Sequence, residues 1–368
     1  MLNWDLVHNL ECKWFWNQQK RKISSLFCPV SQSLWLNRQQ EYFSFAAGTY
    51  MEAVLHQLQF SLSITGPICL MLILGVVFKR IGLINDNFIE VGSKLVFQVT
   101  LPAMLFVSIV ASEHDFSAAS GFVNFGVIAS ISFFIFTYLS VKLLFKASPD
   151  QGVLIQGGFR ANTGIIGIAY VANAYGSQGV ALAALYVAVT TFLYNVQAVI
   201  CLSPKGATSV PQAAKMMGRT LTRNPLIISI VLGMAFYLLS IPVPNVVIDA
   251  GDYLSKMTLP LALLCTGGSL DFSLMRKEKG PSWFASSYKL IVAPVMITIG
   301  AYLVGFRGIE LGILFFMNAS PVAAASYVMA RSMGGNATLA ANIIALTTVL
   351  STITCTLGIL FLKFYDLI

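Results

Sequence analysis

Arg160, Asn162 and Thr163 stand together in the stretch FRANTGIIGIAYVANAYG, residues 159–176, between long apolar runs. An arginine attracts anions, and an asparagine amide offers both donors and acceptors. Gly164 and Gly167 follow at once, and glycine weakens a helix. A second stretch, FFMNASPVAAASYVMARSMGG at 315–335, places Asn318, Ser320 and Pro321 in similar surroundings. Proline removes a backbone donor and clashes with the preceding turn. Each stretch can therefore unwind. A broken helix presents free N–H groups and a positive dipole end at the start of its second half. Such an end suits a carboxylate or another anion. Binding is the chemistry these residues offer. No GxxxxGK[ST] loop, HExxH or GxSxG occurs, which argues against ATP hydrolysis and against an intramembrane hydrolase.

Polar residues are costly in hydrocarbon, so the surroundings decide how these are read. The chain has 368 residues, 57% hydrophobic and only 10% charged, with mean hydropathy +0.76. Apolar tracts fall at roughly 60–78, 88–111, 120–145, 152–175, 178–202, 224–241, 245–270, 283–306, 309–333 and 336–362. Many approach the roughly 20 residues that cross a bilayer as helix. The pattern predicts an all-α integral membrane protein with about ten spans. Unwound backbone at membrane depth is tolerated only inside protein or beside a watery cavity. The formal charge of +8 does not indicate nucleic acid, because the basic residues sit mostly in short loops. Six cysteines without a CxxC pair indicate neither a zinc nor a redox site.

Those loops also predict orientation. Loops after odd-numbered spans carry Lys79 and Arg80, Lys142 and Lys146, then Lys205, Lys215, Arg219 and Arg223, then Arg276, Lys277 and Lys279. The positive-inside rule puts them in the cytoplasm, with both ends of the core outside. Residues 1–50 do not match the rest. They hold Trp4, Trp14, Trp16 and Trp35 and the polar run KWFWNQQKRK. They fit an upstream extension, with Met51 as the functional start, better than an amphipathic surface arm. Two halves, 51–202 and 224–368, then flank a cytoplasmic linker at 203–223.

The halves resemble one another. KLVFQVTLPAMLF answers DYLSKMTLPLALL, with Thr100 matching Thr258 at an offset of 158 (258 minus 100). AYGSQGVALAALYVAVTT answers SMGGNATLAANIIALTT at nearly the same offset. Five spans per half is an odd number, so the halves are expected in opposite orientations. Inverted repeats with midplane breaks mark secondary transporters. Asn162 then falls opposite Asn318. Charges inside spans are costly, about 2.5–3.5 kcal/mol at the bilayer centre. Lys94 maps to Asp252 under the same offset; pairing of the two, or snorkelling of each to water, fits equally. Lys256 lies one turn further on. Glu310 and Arg331 sit near span ends and read as anchors.

GPICLMLILGVVFKRIGLI, FRANTGIIGIAYVANAYGSQGVALA, LPLALLCTGGSL and NASPVAAASYVMA, in that order, resemble the auxin efflux carrier family in its compact bacterial form. The likeness spans roughly residues 51–368. It implies two inverted five-helix repeats whose broken helices four and nine cross at the substrate site. It implies a scaffold of helices one, two, six and seven, and a transport domain moving against it like an elevator. Small organic anions such as malate, malonate or an auxin-like acid are the implied substrates, moved across the cell inner membrane. Arg160, Asn162, Thr163, Gly164, Asn318, Ser320 and Pro321 map to the crossing; Lys94, Asp252 and Lys256 are charge candidates for coupling or for the scaffold. A homodimer is a further implication. No organic cofactor is implied, and coupling to protons or sodium stays open, since the related bile-acid symporters use sodium. The alternatives are such a sodium symporter, or a sensor built on a transporter fold. The chain departs from the pattern where span four has Gly164 and Ile165 in place of the proline of span nine.

Overall fold

The structure is a computed structural model that describes residues 55, 57–111, 119–202, 224–270 and 279–368. The 1–50 extension, the 203–223 linker and most of the basic residues after the fifth and seventh spans lie outside the described residues. The unit from Leu58 to Ile368 is helical. In chain order, α1 is Gln57–Arg80 and α2 Asp86–Val110. Next come α3, Ala119–Leu144, α4, Gln151–Phe159, and α5, Ile168–Leu202. Then follow α6, Pro225–Leu238, α7, Asn245–Gly268, and α8, Gly280–Val304. The last are α9, Gly308–Ala319, α10, Ala325–Ser332, and α11, Ala337–Phe364.

Local chemistry explains the ends. The Asn85 side chain accepts from the Phe88 N–H and starts α2, with Asp86 in its first turn. Asn224 accepts from the Leu226 N–H, and Pro225 follows at the first helical position, where its missing donor costs nothing. Asn336 caps α11 through the Leu339 N–H. Gly305 ends α8 with φ 110°, a left-handed conformation suited to glycine. Gly176, with φ 60° and ψ −153°, makes the sharp corner that divides α5 into the expected fourth and fifth tracts.

Helix occupies each apolar tract, interrupted at 160–162 and 320–324. Among the described residues, six helices are long and apolar enough to cross a membrane: α1, α2, α3, α8, α11 and the run Thr163–Leu202. Large apolar side chains such as Leu70, Leu139, Leu303 and Phe361 stand exposed along them. Hydrocarbon, not water, is the solvent that suits such a surface. Shorter apolar helices are α6 and α9, and α7 carries Asp249, Asp252 and Lys256 along its length.

Close approaches join α1, α2, α6 and α7. A Cβ on Gly267 would strike the Leu72 carbonyl, so α1 and α7 meet backbone to backbone. Gly92 of α2 lies against Cys265 of α7, and Gly233 of α6 against Ile109 of α2. Small residues permit this packing where the surrounding solvent gives no hydrophobic drive. A second cluster gathers side chains of α3, α4, α5, α8, α10 and α11, including Phe133, Leu154, Tyr194, Ala293, Ala330 and Ile343.

Candidate functional site

Two helices break, and their breaks meet. In the first, α4 ends at Phe159 and Arg160 turns extended, with φ −75° and ψ 112°. Asn162 follows at φ −84° and ψ 63°. The chain then re-enters helix through a wide π-type turn, Thr163–Gly167, closed by the Gly167 N–H on the Asn162 carbonyl at 2.9 Å. The break needs no proline. It lies at Arg160–Asn162, just ahead of the glycine expected to cause it, and Gly164 belongs to the turn. Gly158, just before the break, lies so close to Thr137 of α3 that a Cβ would sit 2.7 Å from its methyl.

In the second, α9 ends at Ala319, and Ser320 is extended at φ −63° and ψ 148°. Pro321 has no N–H to give, so the helix cannot continue through it. The extended pieces lie antiparallel. Ala161 pairs with Val322 as in a fragment of β-sheet, and the Asn162 N–H donates to the Pro321 carbonyl at 2.7 Å. The Val322 N–H donates to Thr347 Oγ1 of α11 at 3.2 Å. Backbone groups freed from one helix are thus answered by the other break and by α11, as buried backbone requires.

The side chains are less alike than the backbones. Asn318 sits inside the last turn of α9, whereas Asn162 lies beyond the end of α4. The sequence match of the two asparagines therefore does not make them equivalent in position; helix ends, Phe159 and Ala319, are the better register. Asn318 Nδ2 donates to Tyr186 Oη at 3.0 Å and to the Leu314 carbonyl at 2.8 Å. Ser320 Oγ donates to the Met317 carbonyl at 2.8 Å. Among the described residues nothing hydrogen-bonds the Asn162 amide, although the residue is buried. Thr163 and Pro321 are buried too, and Gly164 is half-buried near Leu101 of α2 and Leu226 of α6.

Arg160 is 6% exposed. Its Nη2 donates to Asn195 Oδ1 at 3.0 Å and its Nη1 to Met329 Sδ at 2.9 Å. A longer contact of 3.5 Å reaches the Tyr194 carbonyl. Its Nε is buried without a partner among the described residues. No carboxylate among the described residues pairs with this cation. Gln156, one turn earlier, is also buried with both amide atoms unpartnered.

Lys289 was not singled out by sequence. It stands in a π-type turn of α8, Tyr288–Val292, is fully buried, and its Nζ donates to the Asn318 carbonyl at 2.7 Å. A lone lysine inside the apolar tract SSYKLIVAPVMITI was the available signal. π-type turns inside helices are frequent at functional sites.

Of the two readings open for Lys94, pairing with Asp252 is not the one observed. Lys94 pairs with Glu90, one turn back on its own helix, at 2.7 Å, and both side chains are well exposed. Residues at i and i+4 are neighbours on a helix surface, so the pair forms within one helix. Asp252 is half-buried and Lys256 exposed, both on α7. Arg331 is exposed in the last turn of α10 and touches Tyr327 Oη at 3.4 Å; Glu310 lies in the first turn of α9.

Apolar helices, two of them broken inside the bundle and bonded to each other there, are the build of a membrane carrier. The model of the membrane transport protein family, the auxin efflux carriers, matches residues 65–359, and the chain belongs to that family. It is a transporter and not an enzyme. An uncharacterised transporter of Methanothermobacter thermautotrophicus is 23% identical over 287 residues, covering 77% of this chain and 92% of that protein. Another, from Methanocaldococcus jannaschii, is 23% identical over 294 residues, covering 77% and 93%.

Proposed function

We propose that the protein is a secondary or potential-driven carrier of a small organic anion, a carboxylate such as malate, malonate or an auxin-like acid. The observation that carries the reading is the crossing itself: two breaks hydrogen-bonded to each other, with the buried Arg160 beside them and, among the described residues, no carboxylate to neutralise it. A buried cation lacking a counter-ion is expensive, and an anionic substrate would supply one. Asn162, Thr163 and Gly164 offer an unbonded amide and the N-terminal end of a helix. Asn318, Ser320 and Pro321 complete the opposite wall. Transport follows an elevator motion in which the unit around the crossing moves against α1, α2, α6 and α7. The halves are arranged as inverted five-helix repeats in the cell inner membrane, with the core ends outside and net movement outward. Export of an anion is favoured by an inside-negative potential.

The test is flux in proteoliposomes holding the full chain, with labelled malate, malonate, lactate and indole-3-acetate. Saturable flux of one acid, lost in Asn162→Ala and in Arg160→Gln, supports the carrier and the site. Flux that survives both substitutions moves the site elsewhere. Absence of flux for all four acids, from folded protein, removes the carboxylate reading.

A further inference from the structure

In broken-helix carriers, anionic groups sit at the N-terminal ends of the half-helices, while freed carbonyls and C-terminal ends hold the coupling cation. The carboxyl end of α9 is such a place. The Asn318 carbonyl has lost its helical donor, because the N–H four residues on, at Val322, is given to Thr347. Lys289 reaches over from α8 and takes that carbonyl at 2.7 Å. Its amine therefore stands where the helix dipole favours positive charge. It is fully buried, and among the described residues this is its one hydrogen bond.

We propose that Lys289 is the coupling-cation site of this carrier and that the cation is a proton, carried on the lysine amine where a sodium ion would otherwise bind. The proposal rests on the carrier reading above and adds the coupling ion. A proton from one side joins the amine nitrogen, and the resulting ammonium grips the Asn318 carbonyl. The same proton leaves to the other side, which restores the neutral amine and loosens that grip. Substrate affinity is thereby linked to protonation through the last turn of α9, whose Asn318 and Ser320 border the crossing.

The ionisable neighbours leave the amine to act alone. On α9, Glu310 is eight residues from Asn318, about 12 Å along the helix. On α4 none lies between Gln151 and Phe159; Asp150 precedes it and Arg160 follows it. On α11 the ionisable groups are Cys355 and Lys363. On α8 itself they are Tyr288 and Tyr302. Tyr186 of α5 reaches the same asparagine through its side chain. No carboxylate among these is placed to share the proton.

The experiment reconstitutes the full chain with membrane voltage clamped at zero, choline replacing sodium, and labelled malonate or malate as probe. A one-unit pH gradient is expected to shift the acid's distribution about tenfold for one coupled proton, unaltered when sodium is restored. Lys289→Gln should lose the response to the pH gradient while still exchanging labelled for unlabelled acid. Lys289→Arg keeps its charge at all working pH, so it should exchange but give no net flux. Gradient-driven flux retained in either variant overturns the proposal, as does wild-type flux that requires sodium. A sodium titration of wild-type melting temperature needs no substrate and stays informative if none of the acids moves. No rise is expected; a saturable rise of about 2 °C or more over choline would mean a sodium site and sink the idea.

Discussion

The two breaks leave their helices through similar extended residues, Arg160 and Ser320, and differ in furnishing. The second, at Ser320–Pro321, is laced up: Asn318 holds Tyr186, Ser320 bonds back to Met317, Thr347 takes the Val322 N–H, and Lys289 takes the Asn318 carbonyl. The first, at Arg160–Asn162, leaves the Asn162 side-chain amide and Arg160 Nε unpartnered among the described residues in a buried setting. Groups left unbonded inside a protein are costly, and they persist where a ligand or water completes them. One break is thus bonded throughout and the other only in part, and under the proposed function the open one receives the substrate, although a repeat in the sequence suggests equal roles.

Substitutions can break or sharpen that contrast. The largest effect on stability is expected from Asn318→Ala, which removes two buried hydrogen bonds, one to the Tyr186 hydroxyl and one to the Leu314 carbonyl. About 2–4 kcal/mol should be lost, read by thermal unfolding in detergent. Thr347→Val comes next; it leaves the buried Val322 N–H without its acceptor, a cost of about 1–3 kcal/mol. Asn162→Ala should cost about 0.5 kcal/mol or less, as a change that breaks no internal bond, yet it should abolish flux. Equal destabilisation by the two asparagine variants would erase the distinction drawn here. Gly164→Ala should be the mildest at the crossing. The nearest atoms a Cβ would meet are at 3.8 and 4.0 Å, which is ordinary contact. A broken fold in that variant would restore Gly164 as the cause of the break. Away from the crossing, Lys94→Met should leave unfolding and flux unchanged, because the exposed pair with Glu90 is screened by solvent.

Much of this was legible in the residues. Apolar runs placed the helices, since length and hydropathy decide what hydrocarbon tolerates. Pro321 and the small residues beside it placed the second break. The first break was legible as a region only. Its position depends on the Pro321 carbonyl taking the Asn162 N–H, a bond between residues far apart in the chain. The repeat left two pairings that the geometry does not make, and for Lys94 the exposed alternative, equally open in the sequence, is the one observed. Matching letters paired Asn162 with Asn318 and Lys94 with Asp252, but helix ends and side-chain reach, not letters, decide who meets whom. Lys289 escaped notice because its meaning lies in the carbonyl it touches, which no local pattern reveals.

The bridge between Ala161 and Val322 joins residues 161 positions apart (322 minus 161). It has a consequence for how the chain is made. When Ala161 enters the bilayer its partner strand has not been synthesised, and at about 5–20 residues per second the wait is on the order of ten seconds or more. Through that interval the first break has no partner for its exposed amide. The nascent first half must be sheltered by the insertion machinery, or hold itself as continuous helix and open only when the second half arrives. Ribosome-stalled chains ending near residue 200 are therefore expected to crosslink to an insertase around Asn162, and chains extended past Val322 to lose that crosslink.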